Sequence, residues 1–115
     1  MDFENMDNLV FSGHPRSYED FKKQLTPSII PLIDSLREYC LSLGKNVVED
    51  VRMHRIVFCK SMTFRFFADM EPQQDSILIK IRRDRKESQK EIEVKHGQNL
   101  DELKKLLLDA YNSIH

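Results

Sequence analysis

The spacing of apolar positions changes twice along this chain, and the changes divide it into three blocks. In the first, apolar residues recur at Phe21, Leu25, Ile29, Ile33, Leu36, Cys40 and Leu43, in steps of three or four. That spacing lays one stripe along an α-helix. Ser17 stands where an N-cap belongs, with Asp20 three residues on and acids in the first turn. Pro27 and Pro31 interrupt the stripe, since each lacks an amide donor and crowds the preceding turn. The helix should kink there, or split into a short and a longer piece with Thr26 as a second N-cap. Gly44 follows the last apolar position and predicts a left-handed C-cap.

Between Val47 and His96 the period becomes two. Ile56 and Phe58 alternate with Val57 and Cys59. Met62, Phe64, Phe66 and Ala68 alternate with Thr63, Arg65, Phe67 and Asp69. Ile77, Ile79 and Ile81 alternate with Leu78, Lys80 and Arg82, and Ile92 and Val94 with Glu91, Glu93 and Lys95. Alternation rich in β-branched and aromatic residues predicts strands. A weaker strand, about Val47 to Met53, precedes them. The breaks "EPQQD" and "RDRKESQ" are short, which implies an antiparallel meander. In the third block Asn99 stands as a cap, with Glu102 at the capping-box position. Leu100, Leu103, Leu106, Leu107, Ala110 and Ile114 form one face of a closing helix. Each helix has one apolar stripe and each strand one strongly apolar side. The expected fold is therefore α+β and two-layered: a four- or five-stranded antiparallel meander sheet, with a kinked N-terminal helix and a C-terminal helix on one face.

Length bounds this picture to one core, because 115 residues suffice for one domain and not two. Residues 1–16, with Asp2, Glu4 and Asp7, read as a flexible acidic arm, and residues 17–115 as the domain. Net charge is -1, which removes the simplest argument for nucleic acid. The distribution is uneven, however. Residues 1–50 hold 5 Lys/Arg against 9 Asp/Glu, and residues 51–95 hold 11 against 7. The strand region is thus locally basic. No charged leader precedes an apolar run, and no apolar run approaches about 18 residues, so a cytoplasmic protein without a membrane span is expected.

Candidate chemistry is sparse. Cys40 and Cys59 lack C-x-x-C spacing and read as small apolar residues. His14, His54, His96 and His115 stand at no metal-ligand spacing. His54, between Met53 and Arg55, is the one histidine to weigh as a proton carrier. Glu49 and Asp50, beside "VRMHR", read as a solvated strand entry. Gly13, Gly44 and Gly97 make no phosphate loop. The expectation is a chain without cofactor or metal and without catalytic residues; a non-enzymatic protein is favoured, and a small enzyme with His54 as proton carrier is the alternative.

Function then turns on the sheet face that the helices leave uncovered. If Phe64, Phe66, Ile77, Ile79, Ile81, Ile92 and Val94 meet the helices, the other face carries Arg65, Phe67, Lys80, Arg82, Glu93 and Lys95, joined by Leu78, Val57 and Cys59. Three readings fit. An aromatic ring among cations can dock a protein partner or a second copy, as in a homodimer. It can stack bases and hold phosphates, with Arg83, Arg85 and Lys86 at the strand exit adding to the grip. Or the charges pair across strands with no partner at all. Asp84 and Glu87 sit among the strand-exit cations and favour a solvated turn there. Arg52, Arg55 and Lys60 would extend a basic rim if they lie nearby. A non-enzymatic interaction module is the leading expectation.

Four stretches together resemble a known family: "LSLGKNV", "RIVFCKSMTFRFFADMEP", "ILIKIRRDR" and "LDELKKLLLDAYNSI". They match Leu43-Gly44, Ile56 to Phe58, Phe67-Ala68 with Pro72, Leu78 to Ile81 and Ala110-Tyr111 in the uncharacterised domain of unknown function 5655. The resemblance spans about Phe21 to Ile114 and leaves the acidic arm outside. It implies a small α+β module of the kind found at the C-terminus of microbial nuclease or restriction-type proteins. A nucleic-acid-binding accessory role is what such company would imply. The family carries no established catalytic residues to transfer.

Overall fold

The computed structural model describes residues 16–60, 65–83 and 89–114. Residues 1–15, Met62, Phe64, Arg85 and Lys86 fall outside them. The first helical block is split, as its prolines require. A short helix α1 (Tyr18–Lys22) is followed by a 3-10 turn (Pro27–Ile29) and then α2 (Ile30–Ser42). Ser17 caps α1, its hydroxyl accepting the Asp20 amide at 3.0 Å. Thr26 precedes the 3-10 turn but makes no side-chain cap. Pro27 and Pro31 stand in first turns, where a missing amide donor is harmless. Gly44 does not form the expected left-handed cap; the positive φ in the described chain is that of Gly97, at 86°. Gly44 instead allows a close approach. A Cβ there would lie 2.9 Å from Cζ of Tyr111, and nearer still to its hydroxyl, so any side chain would collide.

The alternating block forms β1 (Val47–Val51), β2 (Ile56–Lys60), β3 (Arg65–Pro72), β4 (Ser76–Ile81) and β5 (Lys90–Lys95). They make one antiparallel sheet in chain order, each strand paired with the next. Pro72 costs the ladder nothing, because β2 ends opposite Met70 and asks no amide of it. The closing helix is α3 (Asp101–Ser113). Asn99 is not its N-cap: Leu100 holds that position without a side-chain cap, and Asn99, one residue earlier, accepts the Asp101 amide through Oδ1 at 2.8 Å. Glu102 does not complete a capping box and lies 4.0 Å from Lys105 instead.

Register decides what meets what. Ile56, Met70, Ile79 and Ile92 are successive cross-strand partners, as are Phe58, Ala68 and Ile81. Except for the half-buried Ile92, all are buried, and they join Leu32, Ile33, Leu36 and Cys40 of α2 and Leu103, Leu107 and Ala110 of α3 in one cluster. Both long helices therefore lie on the same side of the sheet, as the single apolar stripes imply. Polar ties fix them there. The Tyr39 hydroxyl donates to the Lys104 carbonyl at 3.0 Å, joining α2 to α3. Arg37 donates through Nε and Nη2 to Glu49 at 2.5 and 3.1 Å, joining α2 to β1.

One irregularity corrects the expected sidedness. Between β2 and β3 the pairing runs Phe58 to Ala68 and then Cys59 to Phe66, so Phe67 is an extra residue: a β-bulge. A bulge re-aims side chains and shifts the alternation by one. Phe67 and Ala68 are consequently both fully buried on the helix side. Phe67 meets Tyr111 edge to face, ring centroids 5.4 Å apart. Beyond the bulge the faces are exchanged. Arg65 pairs with Lys60, whose ammonium lies 4.2 Å from the Tyr111 ring and donates to the Ile114 carbonyl. Phe66 is turned to the opposite face. Phe67 and Arg65 thus leave the proposed outer face, and Phe66 replaces them.

Burial also shapes pH dependence. It pushes the Cys40 thiol up to about 12, against an ordinary value of 9.0. Burial, then the hydrogen bond to Asp34, pushes the Tyr18 hydroxyl up as well. Above pH about 9 the unfolded chain therefore holds fewer protons than the folded one. Stability should be full below that point and fall as pH rises toward 12, by up to about 1.4 kcal/mol per pH unit for the thiol. Urea unfolding between neutral and strongly alkaline pH checks this. Cys40→Ala should reduce the alkaline slope and leave the part due to Tyr18.

Candidate interaction face

On the side away from the helices, register stacks side chains in rows across the strands. One row is Val48, Cys59 and Phe66. Arg82 extends it, its guanidinium 5.5 Å from the centre of the Phe66 ring. The next row is Asp50, Val57, Asp69, Lys80 and Glu91, and the next is Glu71, Leu78 and Glu93. Val48 is 40% exposed. Cys59, Phe66, Leu78, Lys80 and Arg82 are half-buried.

The β1–β2 turn folds cations over this face, and they are committed. Arg55 donates to Asp69 at 3.0 Å and to Glu71 at 3.3 Å. Arg52 donates to Asp50 at 3.0 Å. They do not make the basic rim that their sequence position suggested. Asp69 is buried, and its Oδ1 meets no donor among the described residues. The Ser76 hydroxyl donates to Glu93 at 2.7 Å. Asp50, Asp69, Glu71, Glu91 and Glu93 thus interleave with Lys80, Arg82, Lys95, Arg52 and Arg55, and the face has no net positive field. For Cys59, burial first and Asp50 second push the thiol up. It acts as an apolar contact, since a nucleophile needs the thiolate.

Lys80 and Arg82 stand on the outer face as expected. Arg83 turns away, Nε lying 2.7 Å from Asp109 of α3. Arg85 and Lys86 lie outside the described residues. His54 is exposed in the β1–β2 turn, beside a cleft of about 230 Å³ lined by Phe21, Gln24, Leu25, Met53 and Glu71. The acid in that cleft, Glu71, is held by Arg55 rather than by the imidazole. Among the described residues no group of three or more His, Cys, Asp or Glu side chains is placed to hold a metal ion. No described helix is long and apolar enough to cross a membrane.

Phe66 was not legible as the exposed aromatic, because "RFFA" offers two rings in adjacent positions and only the bulge decides between them. Arg55 was missed as a partner of Asp69, a residue 14 positions away. No family model, curated protein or solved structure matches the chain.

Proposed function

We propose that this protein is a small non-enzymatic interaction module that docks a protein through the outer face of its sheet. The observation that carries the reading is the row Val48, Cys59, Phe66 and Arg82. It sets an exposed aliphatic and a half-buried ring stacked with a guanidinium on a face that no described helix covers. Aromatic and arginine side chains are enriched at protein interfaces and their hot spots, and a half-exposed Arg–Phe pair is already ordered for contact. Lys80 and Leu78 border the row and belong to the same surface. The interleaved acids count against a phosphate-binding role, since a backbone of phosphates crossing this face would meet the carboxylates of two of its three rows.

Affinity capture tests this. Immobilised wild-type chain should retain specific proteins from a lysate of its source cells. The double variant Phe66→Ala, Arg82→Glu should lose them by about tenfold or more, with an unchanged circular dichroism spectrum. Equal capture by the variant, or none by the wild type, removes the reading. Tight, salt-sensitive binding of the wild type to nucleic acid would replace it with the accessory role that the family resemblance implies.

A further inference from the structure

The sheet has two edges, and they differ. On β5, Lys90, Glu91, Glu93 and Lys95 are all exposed, and charged side chains along an edge discourage an added strand. On β1, three of the five residues are Val47, Val48 and Val51, and its two acids are committed to Arg37 and Arg52. Its free backbone groups can be located from the hairpin. The Arg52 amide donates to the Arg55 carbonyl at 2.8 Å. The β1–β2 register then makes Asp50 with Val57, and Val48 with Cys59, the hydrogen-bonded pairs. The amides and carbonyls of Glu49 and Val51 therefore point outward, and no described strand lies beyond them.

We propose that β1 is a dimerisation edge and that its occupant is β1 of a second copy, running antiparallel. A two-fold axis at Val48 sets that residue against its own copy and brings Asn46 opposite Asp50 on both sides. Glu49 and Val47 then exchange backbone hydrogen bonds across the axis. The Val47 amide, now in a long 3.4 Å bond to the Gly44 carbonyl, is the group that changes partner. The Val48 pair is of the non-hydrogen-bonded kind, in which side chains approach most closely. An axis at Glu49 would instead oppose two like charges, which disfavours it. With the axis at Val48, the row of Phe66, Cys59 and Val48 runs unbroken into the partner. The inference rests on the reading of that row as a contact surface and adds which partner its Val48 end takes. A five-residue strand pair is short, so the dimer is weak and concentration-dependent.

Sedimentation equilibrium on the full chain, from low micromolar to millimolar, should show reversible dimers. Val48→Lys places two like charges at the axis and should raise Kd by about tenfold or more. Asn46→Lys, facing Asp50 of the other copy, should lower it. With Cys59→Ser to prevent an internal bridge, Val48→Cys should crosslink to itself on mild oxidation, whereas Asp50→Cys should not. A wild type that stays monomeric throughout overturns the proposal, as does a dimer indifferent to Val48→Lys or crosslinked equally at both positions. If the wild type is monomeric yet the Phe66→Ala, Arg82→Glu variant still loses its captured proteins, only the edge dimer falls and the outer-face reading stands.

Discussion

Phe67→Ala should cost this protein about 3–5 kcal/mol of folding stability, while Phe66→Ala, one residue earlier, should cost less than about 1.5 kcal/mol. Two adjacent phenylalanines in a strand would ordinarily be told apart by alternation, with the ring in phase with Ala68 inside. That rule predicts Phe66 as the core residue. The bulge reverses it. Phe67 is fully buried with its ring edge to face against Tyr111, so truncation leaves a ring-sized cavity in the core cluster. Phe66 is half-buried and stacks on Arg82, so truncation exposes only the aliphatic neighbours already at the surface. A domain of this size has roughly 5–15 kcal/mol to lose, which places Phe67→Ala near the limit of folding at ambient temperature. Urea midpoints of the two variants measure the difference. Equal losses, or a larger loss for Phe66→Ala, would mean that the alternation runs straight through β3.

Arg55→Met should be the second most damaging change, at about 2–3 kcal/mol. The side chain of Asp69 is only 12% exposed, and Arg55 is the one described cation that reaches it, at 3.0 Å. Removing the guanidinium leaves a buried carboxylate with neither oxygen partnered, which commonly costs about 3–5 kcal/mol. The value is discounted because Arg55 itself is 32% exposed and water can partly replace it. Asp69→Asn should cost less than Arg55→Met, since the amide keeps an acceptor for Arg55 and removes the isolated charge. Denaturant unfolding of both variants at neutral pH gives the order. A reversed order would show that the carboxylate is held by something other than Arg55.

Much of this architecture could be read from residue order alone. Steps of three and four from Phe21 to Leu43 gave the helix, and Pro27 and Pro31 gave its division, because proline acts locally and its effect needs no tertiary knowledge. Alternation through Ile77, Ile79 and Ile81 placed the correct side of β4 against the helices. Features set by more than one strand were hidden. The bulge inserts one residue, Phe67, between Phe66 and Ala68, and the sequence alternates on either side of it, so nothing in "RFFA" marks the change of phase. The position of Gly44 predicts a helix cap, yet its reason is Tyr111, far along the chain, whose ring leaves no room for a Cβ. Whether Arg55 extends a basic rim stays open in the sequence, since its acidic partners become neighbours only once β2 and β3 pair. Lys80, in a strand of unbroken alternation, and Arg82, just past its end, fall on the face that alternation predicts; Phe67 and Arg65 do not, because the bulge breaks the alternation of β3.

The outer-face account stands or falls on which aromatic ring meets solvent, and hydroxyl-radical footprinting of the native chain reads that residue by residue. Phe66 should be oxidised at a rate near that of other half-exposed rings, with Phe67 protected until the protein is unfolded. Oxidation of Phe67 in the folded protein with Phe66 protected would contradict the bulge, and with it the surface proposed for docking.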